Sequence, residues 1–478
     1  MKNISIWKDI KKEKNYPKLC ENKKVDVLII GGGITGISTL YHLNNSKLKV
    51  MLVEQNEIGT STTGNSTGKL TYLQNDLIDK IRKHVGDETT SKYVNSQIDT
   101  IDMIKRTIEK ENIDCDLQKV DSYIYTNKKE EIKYLEELRE FLKKDSIDSV
   151  ESSIDLVKSE YSFKVKNTYI MHPIKFLYGL LKNNKYPIYE NTSIKRIEKE
   201  NDYFLCYTDS HMIETKWVII ASHYPFFNLP FLIPIKSSIE KSYLSASINN
   251  HKPTSLISYS KPFISIRTYN NYLIYLSNTQ SSSTKSDKLN FESLTKKLND
   301  INLKPDYLWT NTDIMTSDGL PYIGSLKQQF LIGTGYNTWG LTNGFLAGKI
   351  LSDIVLGKAN EYPIFNPSRW NLSHISGGFN AIFKNLGGYI NGITSNSDEI
   401  RYDNIDGIKV ATYKEDENEY TVNRTCPHMG CKLIFNEIEK TWDCPCHGSK
   451  FRKDGKVLTS PANKDINVNI DKNSSNNI

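Results

Sequence analysis

Four residues near the end of the chain have the types and the spacing of metal ligands. They occur as C-x-H in Cys426-Pro-His428 and as C-x-x-H in Cys444-Pro-Cys-His447, with fifteen residues between His428 and Cys444. Two cysteines and two histidines can hold zinc tetrahedrally, so a zinc site is one interpretation of this pattern. The chain has seven cysteines, and four of them fall in this one window. Such a local cluster indicates a metal or cluster site, because a disulfide-rich secreted protein spreads its cysteines along the chain.

The residues around these ligands favour a second interpretation. The segments Cys426-Pro-His-Met-Gly-Cys431 and Cys444-Pro-Cys-His-Gly-Ser449 resemble the two boxes of a Rieske [2Fe–2S] domain. The resemblance implies that Cys426 and Cys444 bind one iron and that His428 and His447 bind the other. Two neutral imidazoles in place of thiolates raise the reduction potential to roughly −150 to +300 mV, against about −400 mV for plant-type ferredoxins.

The same resemblance assigns supporting roles to the neighbouring residues. Cys431 and Cys446 match the cysteines that form a disulfide in high-potential Rieske proteins, although reduced buried thiols are the alternative in a cytoplasmic protein. Ser449 matches a hydroxyl that donates to a bridging sulfide. Phe451 stands where the respiratory proteins have a tyrosine that hydrogen-bonds a ligand sulfur. Loss of that donor predicts a potential somewhat below respiratory values.

A glycine-rich segment near the start of the chain could bind a nucleotide. Gly31, Gly33 and Gly36 form the pattern G-x-G-x-x-G, directly after the apolar run 25–30 and before a helical pattern that extends to residue 43. In this context the first glycine makes a tight turn, the second lets the backbone approach a pyrophosphate, and the third allows close packing of helix and strand. The helix N-terminus would stabilise the phosphate charge.

The next strand supplies an acidic residue at the expected distance. Residues 48–53 form a second apolar run, and Glu54 follows it about 20 residues after the glycines, where it would accept hydrogen bonds from ribose hydroxyls. Together these segments predict a βαβ unit that binds NAD or FAD.

Two further segments indicate FAD. The stretch 59–70 is rich in glycine and small hydroxyl residues, and the stretch 333–344 is a second glycine-rich turn from a strand into a helix. Both resemble segments that lie against the flavin in the D-amino-acid-oxidase-like superfamily, which includes glycine and sarcosine oxidases. The resemblance covers about residues 24–358. It implies that the following residues contact FAD: Thr62, Thr63, Lys69, Leu70, Gly335, Trp339, Gly340, Leu341 and Thr342.

No catalytic residue stands out from the sequence. Arg267 could hold a substrate carboxylate, with a surface arginine as the alternative, and His223, Asn337 and Trp339 could approach the flavin or be packed in the core. The superfamily often needs no dedicated base. No second dinucleotide fingerprint is present, since the glycines at 333, 335 and 340 have the wrong spacing.

The length of 478 residues predicts more than one domain. We expect an N-terminal extension (1–23), an FAD-dependent oxidoreductase (24–358), a linker with a bridging amphipathic helix at 379–390 (359–397), a Rieske domain (398–472) and a short tail (473–478). Within 24–358, the FAD-binding parts are about 24–78, 165–230 and 310–358, and the substrate parts are about 79–164 and 231–309. The expected fold is an α/β Rossmann-like FAD-binding domain with an α+β substrate domain, followed by a small all-β Rieske domain.

The composition of the chain restricts the classes of partner and the compartment that we expect for it. The 38% hydrophobic residues and 25% charged residues exclude a wholly disordered chain, and the formal charge of +6 is scattered and does not suggest nucleic-acid binding. No apolar run approaches the roughly 18 residues of a membrane helix. The N-terminus lacks the apolar core of a signal peptide, so the expected compartment is the cytoplasm.

The two cofactors together suggest an activity. The full arrangement resembles bacterial proteins that join a D-amino-acid-oxidase-like flavoprotein to a C-terminal Rieske domain. It implies oxidation of an amine or amino-acid-like substrate by hydride transfer to the flavin, with single electrons passing through the cluster to an external acceptor. The alternatives are a reductase with the reverse electron flow from an external donor, and a redox sensor that uses the 379–390 helix as its contact surface. The oligomeric state stays open.

Overall fold

The computed structural model describes residues 1–224, 233, 236–281, 287–371, 373, 400–405 and 407–468. Within these residues the α-helices are α1 Ile34–Leu43, α2 Leu77–Glu111, α3 Ile132–Lys144, α4 Pro173–Leu181, α5 Asp287–Asn299 and α6 Gly340–Val355. None of the helices in this part of the chain is long and apolar enough to cross a membrane.

The strands of the same described residues fall into four sheets. They are β1 Lys23–Ile30, β2 Val50–Val53, β3 Lys69–Leu70, β4 Gln118–Thr126, β5 Ser149–Glu151, β6 Tyr161–Ile170, β7 Ile188–Tyr189, β8 Arg196–Glu200, β9 Tyr203–Tyr207, β10 Met212–Ile220, β11 Ser237–Ile248, β12 Ser255–Ser258, β13 Ser265–Tyr269, β14 Tyr272–Ser281, β15 Tyr307–Thr316, β16 Tyr322–Lys327, β17 Phe330–Thr334, β18 Ile400–Ile405, β19 Ile408–Glu415, β20 Asn418–Asn423, β21 Ile434–Asn436, β22 Thr441–Asp443, β23 Lys450–Arg452 and β24 Val457–Thr459.

The first sheet has the order β16-β17-β10-β1-β2-β7, with the β8–β9 hairpin attached to β10. β1 is parallel to β2 and β10, and β10 is parallel to β17. The last four residues of β1 and all of β2 are buried, as expected for strands covered on both faces. The expected βαβ unit is therefore present. The carboxyl end of β1 opens into the glycine-rich turn and α1, and α1 packs against α6.

The second sheet has the order β15-β11-β14-β13-β12-β4-β6-β3, with β5 attached to β6. One face of β11 and β15 contributes Leu244 and Trp309 to the main core, whereas the other face carries Tyr243 and Leu308 against the cluster that includes residues of α5. Side chains of successive residues therefore alternate between the two faces, as in any pleated strand.

Two expectations of secondary structure need correction. The charged residues from about 80 to 160 have a helical pattern that predicts helices, but β4 and β5 also lie there beside α2 and α3. β4 is held by long-range pairing to β6 and β12, which a local pattern does not reveal. Residues 188–197 carry the signals of one strand, but the structure has two short strands, β7 and β8. Buried Glu190 and Thr192 interrupt it, because their side chains accept the backbone N–H groups of Ile58 and Leu19.

The C-terminal residues form two small sheets, β18-β19-β20 and β21-β22-β23-β24, around a separate core that includes Trp442 and Phe451. This part of the chain is all-β, as expected. The bridging helix expected at 379–390 lies outside the described residues.

The first residues of the chain pack more tightly than an extension would suggest. Trp7 is fully buried, and its indole N–H donates to the carbonyl of Ser66 at 2.6 Å. The backbone of Lys2 forms an isolated parallel β-bridge with Tyr307, the first residue of β15. The N-terminal residues therefore brace the loop that follows β2.

Candidate functional site

A cavity with about 1090 Å³ of open space, partly continuous with solvent, begins at the end of β1. Gly31, Gly33 and Glu54 line it. The Glu54 carboxylate accepts the backbone N–H of Gly32 at 2.7 Å and that of Asn56 at 2.8 Å. Burial raises the pKa of Glu54, against the effect of these two donors. Each carboxylate oxygen retains a second lone pair, so Glu54 can still accept from a ribose hydroxyl.

The third glycine of the pattern has a packing role. A Cβ atom on Gly36 would lie 1.9 Å from the carbonyl oxygen of Gly31. Gly36 is not among the cavity residues. It lets α1 approach the turn, which leaves the N-terminus of α1 directed at the cavity.

The predicted FAD contacts of the 59–70 segment divide into two groups. Thr62 and Thr63 line the cavity, and the Thr63 hydroxyl accepts the backbone N–H of Ile34 at 3.1 Å in the first turn of α1. Lys69 and Leu70 lie outside the lining. The ammonium of Lys69 donates to the carbonyl of Leu256 and to the hydroxyl of Ser265, both at 2.7 Å. These two acceptors belong to strands β12 and β13 of the second sheet.

The predicted FAD contacts of the 333–344 segment also divide into two groups. Gly340 and Leu341, in the first turn of α6, line the cavity. Gly335, Trp339 and Thr342 lie outside the lining. Gly335 has φ +74°, a left-handed backbone conformation that glycine allows in the turn. The Thr342 hydroxyl donates to the amide oxygen of Gln97 at 2.6 Å.

The four catalytic candidates have different surroundings. Arg267 is only 1% exposed, and its guanidinium donates to the carbonyls of Gly68 at 2.7 Å and Met171 at 3.0 Å. It is neither a surface residue nor part of the cavity lining, because these carbonyls hold it in the core. Asn337 is also structural, since its amide accepts the Thr316 N–H and donates to the Gly319 carbonyl. Trp339 is buried. His223 lines the cavity.

The sequence patterns did not single out two polar residues that line the same cavity as His223. Asn311 and Asp313 on β15 line it together with His223. Their spacing of two residues indicates a shared face of a strand. Nothing in the local sequence shows that this face covers a cavity.

The predicted metal ligands are brought together by two loops. The rings of His428 and His447 have centroids 4.9 Å apart, and both Nδ1 atoms are buried without a hydrogen-bond partner in the described part of the chain. Cys426 and Cys444 are buried free cysteines. The Cys444 thiol, followed by the His428 N–H and the Ser449 hydroxyl, holds the pKa of Cys426 below its usual value despite burial. Two sulfurs and two free Nδ1 atoms fit the donor set of a Rieske cluster.

The residues around these ligands support the two loops. A disulfide joins Cys431 and Cys446, as the resemblance implied. Cys444 lies close enough to both sulfurs to suggest a three-cysteine metal site, but the disulfide occupies Cys431 and Cys446, so they are not ligands. The Ser449 hydroxyl, which contacts Cys426, also accepts the Ala462 N–H at 3.0 Å. Phe451 is fully buried.

The two candidate sites meet at residues 222–224. Ser222 and His223 line the cavity, and so do Ser460, Ala462 and Asn463 of the C-terminal domain. The ring of the next residue, Tyr224, lies 5.9 Å from the ring of His447 and 6.5 Å from that of His428. Along this segment, Tyr224 therefore lies between the cavity-lining His223 and the predicted cluster ligands.

Comparison with known proteins agrees with both sites. Residues 26–354 match the family of FAD dependent oxidoreductases (DAO), and residues 394–469 match the Rieske [2Fe-2S] domain. The chain belongs to the DAO family of FAD-dependent oxidoreductases and carries a C-terminal Rieske domain. Its DAO domain binds FAD, and its Rieske domain binds a [2Fe–2S] cluster.

Individual relatives share one or both parts. A putative Rieske 2Fe-2S iron-sulfur protein, YhfW of Bacillus subtilis, is 30% identical over 97% of this chain and 96% of its own length. Gamma-glutamylputrescine oxidoreductase of Escherichia coli is 22% identical over 75% of this chain and 89% of its own length. Glycine oxidase from Geobacillus kaustophilus superposes with a TM-score of 0.61 at 16% identity, over 73% of this chain and all of its own. The protein is thus an FAD-dependent oxidoreductase of the DAO family with a Rieske domain at its C-terminal end.

Proposed function

We propose that this protein is a dehydrogenase of an amine or amino-acid-like compound that releases its electrons through the Rieske domain. When bound, FAD accepts a hydride from the substrate and the [2Fe–2S] cluster transfers single electrons. The external partner is then a one-electron acceptor. The names of the relatives support the substrate class, since one acts on gamma-glutamylputrescine and another on glycine.

The observation that carries this proposal is the shared wall between the two sites. Residues of the Rieske domain line the same cavity as the dinucleotide fingerprint. The Ser460 hydroxyl donates to the carbonyl of Ser222 at 2.7 Å, and the Asn56 amide donates to the carbonyl of Leu458 at 3.0 Å. These bonds hold the C-terminal domain against the wall of the cavity that contains the dinucleotide fingerprint.

Other residues of the cavity prepare it for redox chemistry. The N-terminal turn of α6 contributes Gly340 and Leu341 to the wall, and the free N–H groups of a helix of this length stabilise negative charge at that end. Tyr224 is 3% exposed, and its ring lies beside the imidazoles of the Rieske loops, 5.9 Å from the ring of His447.

The test is an anaerobic mixing experiment with the purified holoenzyme. A panel of amines and amino acids is added, and the flavin absorption and the electron paramagnetic resonance signal of the reduced cluster are followed in time. We expect an amine or amino acid to bleach the flavin band first and the cluster signal to appear afterwards. Bleaching by a reduced one-electron donor, with none by any amine or amino acid, would establish the opposite direction and overturn the proposal.

A substitution tests the shared wall. Tyr224→Leu is expected to slow the appearance of the cluster signal while the first bleaching phase keeps its rate. Tyr125→Leu is the matched control, since Tyr125 is equally buried but belongs to the cluster of side chains around α5. Equal rates of cluster reduction in both variants would contradict a role of this wall in electron transfer.

A further inference from the structure

One corner of the cavity is built from hydrogen-bond acceptors. Asn311 and Asp313 are 7% and 8% exposed, and both line the cavity. The Asn311 amide nitrogen donates to the Asp313 carboxylate at 3.2 Å. The Asn311 amide oxygen is buried and has no partner among the described residues. An unpartnered buried acceptor costs free energy, so this oxygen is a position where an N–H or O–H group of a ligand can donate.

His223 adds a third acceptor to this corner. One of its ring nitrogens hydrogen-bonds the backbone of Thr312, and Nε2 is buried without a partner in the described part of the chain. Burial lowers the pKa of His223 to about 4, so the ring is neutral. A neutral imidazole that donates through one nitrogen accepts through the other. Nε2 is therefore a free acceptor.

Asp313 is a buried acid without a cation. No lysine or arginine of the described residues forms an ion pair with it. Across the strand pair β11–β15 it faces Glu240, whose own charge is compensated by Lys261 at 2.6 Å. Burial, and next the Glu240 charge, raise the pKa of Asp313 to about 7. A buried carboxylate of this kind is stabilised when a cation joins it.

We infer that Asp313, Asn311 and His223 form a subsite that binds the amino group of the substrate in its protonated form. The Asp313 carboxylate takes up one proton from it, which leaves the neutral amine that hydride transfer requires. This inference rests on the proposed function and narrows its substrate class to cationic amines. An ammonium has three N–H donors, which matches the acceptors of this corner. A carboxylate has only acceptors, and the arginine that could have bound one, Arg267, is held by backbone carbonyls in the core.

The test uses two probes that share a tert-butyl group and carry opposite charges. tert-Butylammonium has no hydrogen on the carbon that bears nitrogen, so it binds without being oxidised, and pivalate replaces its ammonium with a carboxylate. Each is titrated into the holoenzyme, and binding is measured by calorimetry and by perturbation of the flavin absorption. We expect tert-butylammonium to bind and pivalate not to bind. Binding of pivalate with none of tert-butylammonium would overturn the inference.

Two variants assign the binding to this corner. Asp313→Asn is expected to weaken tert-butylammonium binding about 10- to 100-fold, the effect of losing one charged hydrogen bond. Glu292→Gln removes an exposed carboxylate from α5, which packs against the other face of the same sheet, and is expected to change nothing. If Asp313→Asn weakens the retention of FAD but leaves the probe affinity unchanged, the acceptors serve the flavin and the inference is wrong.

These outcomes are separable from the test of the proposed function. Probe binding that depends on Asp313, together with no flavin bleaching by any amine, would support the ammonium subsite and reject the dehydrogenase. Bleaching of the flavin by amines, together with a probe affinity that Asp313→Asn does not change, would support the dehydrogenase and reject the ammonium subsite.

Discussion

The ammonium of Lys241 on β11 lies 2.6 Å from the carboxylate of Asp443 in the Rieske domain, and these side chains are only 8% and 12% exposed. The same ammonium lies 2.7 Å from Asp287 at the start of α5. Although burial alone would lower it, the two carboxylates raise the pKa of Lys241 well above its usual value. One buried cation thus joins the two folding units at their interface.

Removal of this cation should loosen the Rieske domain. Lys241→Met takes the cation away from the buried Asp287 carboxylate and leaves Asp443 with only the more distant Lys450 ammonium at 3.7 Å. We expect a loss of about 3–5 kcal/mol in the stability of the interface. The measurement is thermal unfolding together with limited proteolysis of the segment between the domains. Lys288→Gln is the control, since Lys288 is 57% exposed where it pairs with Glu437. Such a pair contributes about 0–1 kcal/mol. Equal protease sensitivity of the two variants would contradict the role of Lys241.

Gly36 should be essential for the FAD-binding turn. Gly36→Ala places a methyl group 1.9 Å from the Gly31 carbonyl, so the turn or α1 must move. We expect protein that retains little or no FAD, measured as the ratio of flavin to protein absorption after purification. Gly357→Asn is the control, because Gly357 has φ +70° with no atom within 4 Å of an added Cβ, and asparagine tolerates this conformation. Normal flavin content in Gly36→Ala would refute the assignment of this turn.

Ser449 should tune the potential of the cluster. Its hydroxyl contacts the Cys426 sulfur, and a donor to a ligand sulfur stabilises the more negative, reduced state. Ser449→Ala is therefore expected to lower the midpoint potential, by up to about 60 mV for a tenfold change in the one-electron equilibrium. A spectroscopic redox titration measures it. Thr412→Ala, which removes the hydroxyl contact to Thr421 in the other small sheet, should leave the potential unchanged.

His42 should make the stability of the protein depend on pH. Burial, aided by Lys349, lowers the pKa of His42 to about 3, whereas Asp353 opposes this shift and Lys358 and Lys110 reinforce it. The unfolded chain binds a proton near pH 6.5 and the folded chain does not, so stability falls as the pH drops below 6.5. Between pH 6.5 and 5 the loss is up to about 2 kcal/mol.

Denaturant unfolding at several pH values measures the effect of His42. His42→Leu should reduce the decline in stability below pH 6.5, whereas the same change at exposed His251 should preserve it. A decline of equal size in both variants would show that other groups cause it.

Much of the site was predictable because it rests on local patterns. The turn at Gly31, Gly33 and Gly36 and the two Rieske boxes each bind their cofactor mainly through backbone geometry and through side chains close in sequence. The resemblance also implied the disulfide between Cys431 and Cys446, which the structure confirms. The parallel pairing of β1 with β2 follows from the same βαβ pattern.

Other parts could not be read from local sequence. Trp7 and Arg267 carry no pattern that places them together in the core. In the structure the guanidinium carbon of Arg267 lies 5.0 Å from the centroid of the Trp7 ring. β4 depends on pairing with β6 and β12, which are distant in the chain, so the local pattern of residues 80–160 did not reveal it.

The sequence by itself determined the two cofactor-binding units, because short-range spacing decides which backbone turns and ligand loops can form. Only the tertiary structure decided that Tyr224 separates the cavity from the cluster histidines and that Asn311 and Asp313 face that cavity. Those relationships arise from the packing of β15 and the C-terminal domain over the first sheet. That packing depends on buried contacts between residues more than a hundred positions apart, such as Lys241 with Asp443 and Ser222 with Ser460.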